Sequence, residues 1–242
     1  MRIGFFLLLL GASVCIQSFE MGVSASQVPP IANVYYTKEG PKIREKGILY
    51  LLGQYIERHT QEETRYRVIK RQDMASLMGQ GELQSICYMT PRWLGLGTDK
   101  AVFTKPFLTV KDQLISRKSL PLIKDPSHMR GLTVGIIQGY RYPKLQKLID
   151  TDFFKVEYQN NEVNNFISLF RSTAIDVIVF KDIAFRHFVS TMPEIVGKSA
   201  LTVHPMELSE AKVSCAIAAK DNHYLPKINN AIEEFIADQS AD

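Results

Sequence analysis

From residue 31 onward, apolar positions switch between two spacings along the chain. IANVYYT reads as a strand. KGILYLLGQYIERHT follows, with Ile48, Leu51, Leu52, Tyr55 and Ile56 recurring at helical spacing. RYRVIK is a second strand whose bases alternate with apolar residues. QDMASLMGQ is a short helix with Asp73 early and Gly79 late, as capping chemistry prefers. LQSICYM is a third strand. Strand, helix, strand, helix, strand implies a parallel sheet with right-handed crossovers.

The pattern then changes. VFTKPFLTVKDQLISRK is extended and passes through Pro106, and SLPLIKDPSHMRG is a polar connector containing prolines. A second alternating block follows. LTVGIIQ, FFKVEYQ and AIDVIVF are strands, with PKLQKLID, EVNNFISLFRS and KDIAFRHFVS as helices between and after them. The chain closes on a strand, KVSCAIAA, and a helix, YLPKINNAIEEFIAD. Two α/β blocks joined by an extended crossing predict two lobes around a cleft. Ligands in such sheets bind beyond the carboxyl ends of strands.

The first 25 residues read differently. Arg2 precedes an apolar run from Ile3 to about Ile16, and Val23 and Ala25 occupy the −3 and −1 positions of a small-residue cleavage site. This predicts a signal peptide over residues 1–25 and an exported chain; a membrane anchor needs roughly 20 apolar residues. Removing the leader takes one base and one acid, leaving 28 against 24 and the same net charge of +4. That mild excess has no dense basic stripe, which argues against nucleic-acid binding. Cys87 and Cys215 then remain. In an oxidising compartment they can pair, or each can be a small apolar residue in a strand.

Catalytic signatures are absent from the sequence. The five histidines (59, 128, 187, 204 and 223) have no metal-ligand spacing, and neither a nucleophile elbow nor a phosphate-binding loop occurs. The expectation is a binding protein without cofactor or metal. One cation stands out. In TPRW, Arg92 adjoins the only tryptophan, Trp93, just after the third strand.

VFTKPFLTVKDQLI, MRGLTVGIIQGYRYP, AIDVIVFKDIA and AIAAKDNHYLPKINNAIEEF occur in an order that resembles family 3 periplasmic solute-binding proteins. The resemblance covers about residues 31–240. It implies a two-lobed type II periplasmic-binding fold, each lobe a mostly parallel sheet flanked by helices. Lobe 1 would span residues 26–110, lobe 2 residues 111–205, and a return segment of lobe 1 residues 206–242. The crossings would fall near Leu108–Lys111 and His204–Leu208. Cys87 and Cys215 would both lie in lobe 1 strands, which makes a bridge geometrically feasible.

The resemblance also implies roles. An arginine in the family's T-x-x-R segment takes a ligand's carboxylate, and Arg92 is the match, with Thr90 nearby. An acid after the i-D-a strand takes the amino group, and Asp182 is the match; Lys181 beside it reads, on its own residue type, as solvated. The turn Gly139–Tyr140–Arg141 would donate backbone N–H groups at a helix start. Tyr35 or Tyr36 would cover the ligand. The implied function is a monomeric periplasmic protein that captures an amino acid or related carboxylate for the permease of an ABC transporter. The alternative is a periplasmic sensor that signals to a membrane receptor. Departures from the family pattern cluster at the ligand positions. TPR is one residue shorter than T-x-x-R, Tyr140 replaces the usual threonine, and Leu51 or Leu52 stands where the family has an acid.

Overall fold

The computed structural model describes residues 18–117, 119–171, 174–193 and 201–240. Its first strand, β1 (Ser18–Ser24), lies inside the segment expected to be a leader. β1 pairs in parallel with β4 (Glu63–Ile69) over seven residues and with β5 (Ser85–Met89) on its other side. Phe19, Met21 and Val23 alternate along it and are each 0% exposed. Period-2 alternation of large apolar side chains is what a core strand needs. The expected boundary after Ala25 is therefore corrected: Ser18–Ser24 are part of the fold. The rest of the expected leader, residues 1–17, lies outside the described residues.

IANVYYT does form a strand, but not one of the parallel sheet. Its strand, β2 (Val34–Thr37), pairs only with β3 (Gly40–Ile43) in a separate two-stranded hairpin. Tyr36 there is 73% exposed. The remaining strands are β6 (Ala101–Phe103), β7 (Leu108–Arg117), β8 (Thr133–Ile137), β9 (Lys155–Gln159), β10 (Val177–Lys181), β11 (Leu201–Val203) and β12 (Ser209–Ala218). The α-helices lying wholly within the described residues are α1 (Ile48–Thr60), α2 (Met74–Gly79), α3 (Pro91–Leu94), α4 (Gln146–Asp150), α5 (Glu162–Arg171), α6 (Asp182–Thr191) and α7 (Leu225–Gln239).

The main sheet runs β4-β1-β5-β12-β7-β10-β8-β9 and has two halves. In the first, β4, β1 and β5 are parallel; in the second, β10, β8 and β9 are parallel. β7 and β12 join the halves, pairing antiparallel from Leu108–Asp112 to Ser209–Val213. β12 then shifts register between Ser214 and Cys215 and continues along β5. This is the expected two-lobed α/β architecture, built on one curled sheet.

Each half has its own apolar clusters. Leu49, Leu52 and Ile56 of α1 meet Ile228, Ala231 and Phe235 of α7 beside β1. In the second half, Phe166 of α5 packs with Phe180 of β10 and Phe188 of α6. Two residues cross over: Val28 joins that second-half cluster, and Ile183 of α6 packs against the first.

Cys87 on β5 stands opposite Cys215 on β12, and their sulfurs are bonded, at 2.00 Å. The closed loop spans 128 residues. Cross-linking so long a loop restricts the unfolded chain, typically worth about 2–4 kcal/mol. Cys87→Ala/Cys215→Ala should lower the urea midpoint by that much free energy. An unchanged midpoint would show that the link does not constrain the unfolded chain.

Candidate functional site

Five strand ends converge between the halves. β1 delivers Ser24, with Gln27 just beyond; β4 delivers Arg71; β5 delivers Tyr88 and Met89, and α3 behind it Trp93. From the other half come Tyr140 and Arg141 after β8, and Lys181 at the end of β10. These residues, with Met74 and Cys87, line one cavity. Its open space is about 30 Å³, room for a water or two where a ligand pocket has roughly 300–1,000 Å³. Its own side chains fill it. A body of solute size would fit only with the halves parted or Tyr140 moved aside.

All three charged residues on this wall are cations: Arg71, Arg141 and Lys181. Arg71 is half-buried. One of its nitrogens donates to the Trp93 carbonyl at 2.9 Å and another approaches the Met74 sulfur at 3.9 Å. Burial, reinforced by repulsion from Arg141, pulls Arg71 below its ordinary value, while Tyr140 acts in the opposite direction. Arg141 reaches across from the second half. Its terminal nitrogens lie 3.7 and 3.8 Å from where a Cβ on Gly95 would sit. Among the described residues, neither arginine has a carboxylate within ion-pair distance.

Lys181 is different, and its expected solvated position is corrected. It is 5% exposed, ion-paired to Asp112 of β7, and 5.0 Å from the centre of the Trp93 ring. Asp112 also accepts from the Ser209 hydroxyl. A buried charge has to be paired in this way. Behind the wall, Glu162 opens α5. Burial pushes its carboxyl up to about 7 against the attraction of Lys181, and Asp112 pushes the same way as burial.

Tyr140 spans the halves, its hydroxyl 3.2 Å from that of Ser26, which in turn lies 2.8 Å from that of Ser24. Burial raises the Tyr140 phenol, so it stays protonated and can donate. The Gly139 turn does not open a helix. Gly139 has φ +79, the Tyr140 N–H bonds back to the Ile137 carbonyl at 3.2 Å, and the next helix, α4, starts at Gln146. The expected array of N–H groups at a helix start is thus replaced by the Tyr140 side chain.

Other expected residues lie elsewhere. Arg92 is exposed and lines a separate groove with Lys111, Asp112 and Lys144, outside the cavity. The cause is helix register. Thr90 is the N-cap of α3, its hydroxyl accepting from the Trp93 N–H at 3.1 Å, so T-x-x-R places its arginine at the third helical position. Trp93 holds that position here and faces the cavity, packed also on both clusters of the first half. Arg92, one residue earlier, turns outward. Asp182 is buried but occupied: it accepts from the Lys111 backbone N–H at 2.9 Å and from Arg186 at 3.0 Å, and does not line the cavity. Tyr35 lies under Arg44 on the β2–β3 hairpin, and neither it nor Tyr36 reaches the cavity. Arg71 and Lys181 were missed, although each follows or ends a parallel strand at its carboxyl end, the signal that marks such clefts.

No family model matches the sequence, and no curated protein matches it. Solved structures do. An ancestral arginine-binding protein bound to arginine superposes with a TM-score of 0.71 at 18% identity, covering 92% of this chain and 93% of that one. The amino acid ABC transporter substrate-binding protein AbpA from Streptococcus pneumoniae, bound to L-arginine, gives 0.69 at 14% identity, covering 92% and 90%. The GluR0 ligand-binding core with L-glutamate gives 0.71 at 14%, covering 93% and 94%. At these identities the likeness is one of fold.

Proposed function

We propose that this chain, which has the fold of amino-acid substrate-binding proteins, is an exported solute-binding protein that captures a small carboxylate-bearing solute between its halves and presents it to a membrane permease of an ABC transporter. The observation that carries this is the convergence of Arg71 and Arg141, from opposite halves, on one cavity with Trp93 and Tyr140. Guanidinium suits a carboxylate because its planar fork makes two charge-assisted bonds. An anion between the two arginines relieves their mutual repulsion and bonds to both halves at once. Binding therefore favours the shut arrangement, and closure is a hinge motion about the β7–β12 pair.

A thermal-shift screen of amino acids and small carboxylates tests this, because a ligand of the folded state raises its apparent stability. For a solute found this way, Arg71→Gln should weaken binding about 10- to 100-fold, the scale of a lost charged hydrogen bond. Arg92→Ala should leave it unchanged. The reverse pattern in calorimetry would return the site to Arg92, and silence across a broad library would defeat the solute-binding reading.

A further inference from the structure

Resting on that reading, we infer that the solute is a carboxylate without an α-ammonium group, and that the cavity discriminates against α-amino acids. An α-amino acid brings a carboxylate and an ammonium in equal number. It needs a site with a cation and an anion, and the anion must be unengaged and within reach. This cavity supplies only cations. Arg71, Arg141 and Lys181 are the charged residues of its wall, and Lys181 alone is neutralised by a partner.

Of the three nearby acids, two are committed elsewhere and the third is buried behind the wall. Asp112 is held by Lys181 and the Ser209 hydroxyl. Asp182 is held by the Lys111 backbone and Arg186. Glu162 is buried behind the wall and does not line the cavity. Among the described residues, an ammonium placed in the cavity meets two guanidiniums without a carboxylate partner and no carboxylate on the wall. Like charges brought together partly out of water repel. A des-amino carboxylate meets only attraction. Apart from Ser24 and Gln27, the rest of the wall is apolar or aromatic, with Met74, Met89, Tyr88 and Trp93, which suits a hydrocarbon body.

Two matched pairs that differ only in the ammonium test this: 3-phenylpropionate against L-phenylalanine, and succinate against L-aspartate. Titration calorimetry on the full folded protein should find the des-amino member of a pair bound at least about tenfold more tightly, with affinity falling as salt is raised. Arg141→Gln, at an exposed position that leaves the core intact, should weaken that binding about tenfold or more. If an amino acid binds as tightly as its des-amino partner, the inference is overturned while solute binding stands. If Arg141→Gln changes nothing, the cavity is not the site and the inference falls with it. If no member of either pair binds and the wider carboxylate screen is silent too, both readings fail together.

Discussion

A chain that begins at Ser26 should remain unfolded, whereas one that begins at residue 16 should unfold cooperatively in urea. The difference is β1. Phe19, Met21 and Val23 are each 0% exposed, and burying a side chain of this size contributes about 1.5–3 kcal/mol. Three of them approach the whole stability of an ordinary domain, about 5–15 kcal/mol. β1 is also internal to the sheet. Without it, β4 loses its seven-residue partner and β5 loses one edge of its ladder. Circular dichroism across a urea gradient is the measurement. A cooperative transition of normal midpoint for the shorter chain would refute the placement of β1. The same geometry moves any leader cleavage upstream, since a cut after Ala25 removes the strand on which the first half is built.

That strand shows what the sequence conceals. SFEMGVS alternates as a core strand should, yet it directly follows an apolar run whose layout matches a leader, and small residues at Val23 and Ala25 fit a cleavage site equally well. Local pattern cannot separate the two, because the deciding fact is the pairing with β4, some 45 residues away. Helices such as α1 and α7 were legible because their apolar stripes are local. The site was legible only as a location. The rule that ligands lie beyond strand carboxyl ends points to Arg71, Trp93, Tyr140 and Lys181 together. Choosing among neighbours there needs helix register, and one residue separates inward Trp93 from outward Arg92. Whether an acid is free, as for Asp182, depends on a backbone N–H supplied by β7, 71 residues away.

Glu162→Gln should stabilise the protein by about 3 kcal/mol at pH 8 and have little effect near pH 4. Glu162 is 6% exposed, and burial raises its carboxyl from 4.5 to about 7. The groups acting on it are Lys181 of β10, which favours the charge, and Asp112 of β7, which opposes it. The phenols of Tyr88, Tyr140 and Tyr142 stand close enough to feel its charge in turn. Between pH 4.5 and 7 the folded chain keeps a proton that the unfolded chain has released. Stability therefore falls as pH rises through this window and levels off above it. A shift of this size corresponds to about 3 kcal/mol in full. His204 works in the opposite sense. It is buried, accepts from the Ile123 N–H at Nδ1, and is held below 6.5, so acidification costs stability below that value. The wild-type profile contains both effects, but the difference between wild type and Glu162→Gln isolates the carboxyl. Urea midpoints from pH 4 to 8.5 measure it. A difference that stays flat across that range would mean the carboxylate is charged and paired in the folded protein, with Lys181 shared between Glu162 and Asp112.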